Sequence, residues 1–211
     1  MTASYTSSTG AVGDAGAGTG NGAGNGTGNG AVNGAGIDAR GGAADGIGSG
    51  ATIRVLDIVY GTSVDGPGLR TSIYCAGCEN RCEGCHNPQS WDPQGGDEIA
   101  VEELFRRIVE ADMNVTFTGG DPMLRPEGFS LLARLIKERT DKTIWCYTGY
   151  RFEQVMQSTR RRELAMLCDV IVDGPFLLAE RDLSLRFRGS RNQRIIDVGR
   201  SLHGETAILP E

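Results

Sequence analysis

One pattern recurs along this chain: a short apolar run stops at a glycine, and an amphipathic stretch follows. NVTFTGG (114–120), TIWCYTG (143–149) and DVIVDG (169–174) are such runs, and RTSIYC (70–75) ends on a cysteine instead. Their length and their branched and aromatic content predict strands, as does IRVLDIV (53–59). After the cysteine-rich segment, VEELFRRIVEA sets Val101, Leu104, Phe105 and Ile108 at helical spacing on a charged surface. Pro126 opens a second helix with the stripe Phe129, Leu132, Ala133 and Ile136. A third helical stretch spans 152–167, and LRFRGSRNQRIIDV closes the chain as a turn and a final strand. Strand and helix alternating in this order predict a parallel sheet with covering helices. With only five or six strands, the expected fold class is α/β, an incomplete TIM-like βα barrel rather than a closed one. Working residues in such folds gather beyond the C-terminal ends of the strands. Cys75, Gly119 to Asp121, Thr148–Gly149 and Asp173–Gly174 are therefore expected on one face.

The first fifty residues cannot join that core. They hold 17 of the 32 glycines and almost no branched or aromatic side chains, so little apolar burial offsets the entropy of ordering them. Residues 1–50 are expected as a disordered Gly-rich tail and 51–211 as one domain. No strand precedes the glycines and no GK[ST] follows them, which argues against a phosphate loop. The net charge is −6, of which the tail carries −2; the mildly acidic remainder offers no nucleic-acid surface. A signal peptide and a run of membrane-spanning length are both lacking. Clustered cysteines without a secretory signal point to metal or redox chemistry in a reducing, cytoplasmic compartment.

CAGCENRCEGCHNPQSW (75–91) places four cysteines within eleven residues. Read with all four, C-x2-C-x3-C-x2-C could close around a tetrahedral zinc. Cys75, however, ends a strand, so the sheet sets its direction. Read with Cys78, Cys82 and Cys85, C-x3-C-x2-C suits a [4Fe-4S] cluster with one iron free of protein thiolate, which an amine and a carboxylate can chelate. This is the signature of radical S-adenosylmethionine enzymes. TFTGGDP (116–122) follows one βα unit later. Glycines at a strand end allow close backbone approach, and Asp121 offers an acceptor for an ammonium. The segment resembles the GGE(P) motif of the same superfamily, with Asp in place of Glu.

VDGPGLRTSIYCAGCENRCEGCHNPQSWD, TFTGGDPM, TIWCYTGY, DVIVDGPF and LRFRGSRNQRIIDV together resemble the family of anaerobic ribonucleoside-triphosphate reductase activating proteins, across about residues 53 to 200. The resemblance implies one [4Fe-4S] cluster on Cys78, Cys82 and Cys85. It also implies S-adenosylmethionine bordered by Gly84 and His86 at the cluster, and by Gly119, Gly120 and Asp121 at its methionine end. A flavodoxin- or ferredoxin-type donor would reduce the cluster, and S-adenosylmethionine would be cleaved to a 5′-deoxyadenosyl radical. That radical would take a hydrogen from a glycine of the large anaerobic reductase subunit. The superfamily's usual aromatic residue before the third cysteine is Gly84 here, a departure the family shares. An activase for another glycyl-radical enzyme, of the pyruvate formate-lyase type, is the second reading, though some such relatives carry a further cluster for which Cys146 and Cys168 do not suffice. A zinc-stabilised binding module is the third.

Plainer readings hold elsewhere. Asp65, Gly66 and Pro67 read as a turn, Cys146 and Cys168 as small core residues, and Trp145 and Tyr147 as packing. Arg188, Arg191 and Arg194 read as a charged surface run open to a partner, and His203 as solvated.

Overall fold

The computed structural model describes residues 50–202 and 206–210. The expected Gly-rich tail, residue 50 apart, and His203 lie outside the described residues. Among the described residues, seven strands form one sheet. They are β1 (Thr52–Thr62), β2 (Arg70–Cys75), β3 (Asp97–Ala100), β4 (Asn114–Gly119), β5 (Ile144–Tyr147), β6 (Val170–Asp173) and β7 (Arg194–Asp197). Their order is β3-β1-β2-β4-β5-β6-β7.

The sheet is mixed, where the sequence predicts a parallel one. Strands β2, β4, β5 and β6 run parallel, while β1, β3 and β7 pair antiparallel with their neighbours. The reason lies in the link 63–69: a parallel crossover needs about a dozen residues, so this short link closes an antiparallel hairpin. The sequence reading also missed β3, because DEIA is short and polar. The third helical stretch is two helices, α3 (Phe152–Gln157) and α4 (Thr159–Ala165), separated by the extended backbone of Ser158. Ser and Thr are weak helix formers that compete for backbone hydrogen bonds, so the Ser-Thr junction is where the helix breaks.

Helices α1 (Val101–Ala111) and α2 (Pro126–Arg139) precede α3 and α4. The parallel strands follow one another in sheet order, and right-handed crossovers taken always in one direction lay every helix on the same face. That face carries the main core: Ile73, Val115, Phe117, Ile144, Cys146 and Ile171 meet Leu104, Ile108, Phe129, Leu132, Ile136 and Leu164. Both expected helical stripes are buried, with Phe105 at the margin, and Cys146 and Cys168 are core residues as read. Strand alternation sends Trp145 to the opposite face, where it packs with Val170, Val172 and Ile195.

That opposite face is partly polar. Arg70 is 1% exposed; its guanidinium donates to Thr116 Oγ1 at 2.7 Å and to the carbonyls of Val115 and Thr143 at 2.6 and 3.1 Å. Burial lowers its pKa to about 10, and its guanidinium lies 5.6 Å from the centre of the Trp145 ring. The Thr116 hydroxyl donates onward to the Asp65 carbonyl at 2.8 Å. The Asp65 carboxylate accepts from Ser72 Oγ at 2.8 Å and Tyr74 OH at 3.0 Å. The turn read from DGPG is thus fastened to the sheet face beneath it. Among the described residues, no helix is long and apolar enough to cross a membrane.

Candidate functional site

A cleft of about 680 Å3 opens over this helix-free face, within the ~300–1,000 Å3 typical of ligand sites. Cys78, Cys82, Cys85, His86, Gly119 and Gly120 line one part of it, and Asp65, Tyr74, Tyr147 and Phe187 line another. Six of the eight site residues read from the sequence therefore meet in one cavity. Gly84 and Asp121 are not on its wall. Gly84 turns away at φ +71, and a Cβ there would stand 3.0 Å from Leu178 Cδ1. Cys75 is buried on the helix side of β2, where burial pushes its thiol well up.

The cysteine loop leaves β2 and is lashed at both ends. The Gly77 amide donates to the Ser90 carbonyl at 2.7 Å, and Cys78 N–H to the Trp91 carbonyl at 3.4 Å. Pro88 starts the short 3-10 helix Pro88–Trp91 that supplies those acceptors. Each of the three cleft sulfurs faces N–H groups: Cys78 those of Asn80 and Arg81, Cys82 that of Phe176, and Cys85 that of Asn87, at 3.4 Å. Arg81 holds the left-handed backbone conformation within this loop, at φ 43. Burial raises the pKa of the Cys78 and Cys82 thiols, so binding metal there releases protons.

Among the described residues, no three His, Cys, Asp or Glu side chains are close enough to hold one metal ion. A zinc site needs its donors within ~2.3 Å of a single centre, and with Cys75 facing the core the four-thiolate reading finds no support. A four-iron cluster takes each thiolate on a different iron, so its ligands ring a space rather than converge. Three thiols around one end of a cleft, each met by N–H donors that stabilise cluster sulfur, fit that group.

Gly119 and Gly120 serve the cysteine loop directly. Gly120 N–H donates to the Cys75 carbonyl at 2.7 Å and Asp121 N–H to the Gly77 carbonyl at 2.8 Å. The buried Asp121 carboxylate is a hub: it accepts from Met123 N–H at 2.9 Å, Thr148 Oγ1 at 2.9 Å, Gly149 N–H at 3.0 Å and Asn80 Nδ2 at 3.3 Å. Its lone pairs are thus engaged within the protein, and it joins the cysteine loop to the end of β5.

Burial pushes the Asp121 carboxyl from 3.8 up to about 6, against the pull of its donors. The native state then keeps a proton that the unfolded chain releases near 3.8. This contribution to stability is present at low pH and is lost as pH climbs from about 4 to about 6. Carboxylates held low by partners, such as Glu153 beside Arg194, act with the opposite sign. Melting curves of ligand-free wild type and Asp121→Asn between pH 4 and 7 isolate this effect. Relative to the variant, wild type is expected to lose stability toward pH 6; a difference that does not vary with pH would reject it.

At the end of β6, Asp173 is fully buried, accepts from Phe152 N–H at 2.7 Å, and pairs with Arg194, which also reaches Glu153 at 2.9 Å. Arg191 pairs with Asp182 at 2.9 Å, and Arg188 donates to the Gln193 carbonyl at 2.9 Å. Of the arginine run read as charged surface, Arg191 is exposed as expected, while Arg194 is drawn against the buried Asp173, and all three side chains have partners within the chain. Sequence reasoning passed over Asn80 and Ser90, while Thr148, expected on this face, does line the cleft; the polar residues around the cysteine spacing were the available signal.

Residues 64–196 match the family described as a 4Fe-4S single cluster domain. The anaerobic ribonucleoside-triphosphate reductase-activating protein of Pasteurella multocida is 34% identical over 142 residues, 63% of this chain and 89% of that one. The protein of that name from Enterobacteria phage T4 is 36% identical, over 63% and 86%. The pyruvate formate-lyase-activating enzyme of Clostridium pasteurianum is 34% identical over 111 residues, 49% of this chain and 47% of that one.

Proposed function

This chain belongs to the anaerobic ribonucleoside-triphosphate reductase-activating protein family, and we propose that it installs a glycyl radical on an anaerobic ribonucleoside-triphosphate reductase. The observation that carries this is the meeting of three thiols, each with N–H donors, and two strand-end glycines in a single cleft. Cys78, Cys82 and Cys85 hold a [4Fe-4S] cluster. His86, Gly119 and Gly120 border S-adenosylmethionine, while Asp121 acts through Asn80, Thr148 and Gly149 rather than by touching it. When bound, these groups supply one-electron cleavage of a sulfur–carbon bond to a 5′-deoxyadenosyl radical, which takes hydrogen from the partner's glycine. The protein's own part is to hold the ligand loop, shape the amino-acid end of the site and keep water and stray donors out.

The singly wound strands curve around this cleft as an incomplete barrel within one domain, residues 51–211. The electron donor is of the flavodoxin or ferredoxin type, and the reaction is cytoplasmic. Similarity to the formate-lyase activase of Clostridium pasteurianum favours a second reading, activation of that class of glycyl-radical enzyme. Anaerobic incubation with S-adenosylmethionine, reductant and each candidate partner separates them. A glycyl radical signal in electron paramagnetic resonance is expected with the reductase. A signal with the formate lyase alone would establish the second reading, and colourless protein holding one zinc would sink both.

A further inference from the structure

The residues between Cys78 and Cys82 are Glu79, Asn80 and Arg81, which a spacing motif treats as filler. The Asn80 carboxamide nitrogen stands 4.0 Å from Cys78 Sγ and 3.3 Å from Asp121 Oδ2. It also occupies the place of a side chain at Gly149, where a Cβ would come within 2.1 Å of it. Gly149 is not in the left-handed region, so its backbone would accept alanine; what bars a side chain there is Asn80. Asp121 binds Gly149 N–H and the Thr148 hydroxyl with the same carboxylate that takes Asn80. Beside it, Tyr150 OH donates to Glu79 Oε2 at 3.3 Å, and the Arg161 guanidinium lies 3.6 Å from the centre of the Tyr150 ring. Thr148 to Tyr150 thus form a seat for Glu79 and Asn80.

We propose that Asn80 is a positioning residue for the iron–sulfur cluster: held by Asp121 and seated on Gly149, its carboxamide fixes the Cys78 loop and keeps an N–H on the Cys78 sulfur. This rests on the cluster reading above. A hydrogen bond to a ligand sulfur draws charge from the iron–sulfur bond and raises the reduction potential. The seat therefore makes the cluster easier to reduce, and it couples the ligand loop to the β5 end of the cleft.

Asn80→Leu keeps the branched shape of the side chain and removes the donor, whereas Gly149→Ala keeps Asn80 but fills its place. Each variant, reconstituted anaerobically, is titrated for the midpoint potential of the cluster. Both are expected to shift it to more negative values, lowering the reduced fraction at a fixed potential several-fold. The double variant should shift no further than Asn80→Leu, because the contact is already lost. Thermal unfolding of the ligand-free proteins should show non-additivity in the cycle that pairs Gly149→Ala with Asn80→Ser, whose short side chain vacates the place beside Gly149. A variant that keeps the wild-type far-UV spectrum but takes up markedly less iron also supports the role; should Asn80→Leu not fold, the shorter polar Asn80→Ser carries the same expectation. A wild-type midpoint in Asn80→Leu, or a full extra shift from Gly149→Ala on top of it, overturns the proposal. Wild-type protein that binds no cluster would instead sink the cluster reading, while the ligand-free cycle still reports whether Asn80 and Gly149 are coupled.

Discussion

Replacing Cys78, Cys82 or Cys85 by alanine is expected to abolish cluster incorporation and cleavage of S-adenosylmethionine, whereas Cys75→Ala retains both. The three loop sulfurs line the cleft and face N–H donors; losing one leaves a cubane with two protein ligands and a second uncovered iron. Cys75 stands on the other side of the sheet, among core residues, with 3% exposure. Removing its sulfur leaves a small apolar gap at a cost of about 1 kcal/mol, too little to unfold a domain stable by ~5–15 kcal/mol. Iron and sulfide content, brown colour and methionine release distinguish the four variants. If Cys75→Ala comes out colourless while its fold survives, the three-ligand assignment is wrong.

What the sequence made legible here are the features with local causes. Helical stripes such as Val101, Leu104 and Ile108 are written at a spacing that only one fold of the backbone buries. The three-cysteine spacing and the strand-end glycines, likewise, are readable because chemistry or backbone geometry demands those residue types. Orientation within a shared site is not written locally. Asp121 looked like a ligand for a cofactor's ammonium, but its direction is set by where the ends of β4 and β5 meet, and there four protein donors engage it. Arg194 looked like open surface because its partners, Asp173 and Glu153, lie 21 and 41 residues away in sequence. Hairpin polarity at β1–β2 was legible in the length of the link 63–69, a signal that the strand–helix alternation overshadowed.

The two strand-end glycines are expected to be as intolerant as the ligand cysteines, for a different reason. Read alone, Gly119 and Gly120 suggest room for a ligand; in the fold, the room is first taken by the protein's own backbone. A Cβ on Gly119 would fall 2.5 Å from the Cys75 nitrogen, with φ at +98, and one on Gly120 would fall 2.4 Å from the Gly77 carbonyl oxygen. Neither neighbour is a flexible side-chain tip, so relief requires moving the start of the cysteine loop off the end of β4. The left-handed backbone costs alanine about 1–2 kcal/mol at Gly119, and overpacking adds about 1–3 kcal/mol at either site. Gly119→Ala is therefore expected to lower unfolding free energy by about 2–5 kcal/mol, with Gly120→Ala close behind. Both should lose iron uptake even where the fold survives, because the Gly120 to Cys75 and Asp121 to Gly77 hydrogen bonds that seat the loop are displaced. Denaturant midpoints of the ligand-free proteins measure the first effect and anaerobic reconstitution the second. Gly149→Ala is the control: it meets a side chain rather than backbone, so its loss of stability should be smaller, its consequences falling mainly on the potential of the cluster. A Gly119→Ala protein with a wild-type midpoint and a full complement of iron would show that the loop does not depend on this close approach.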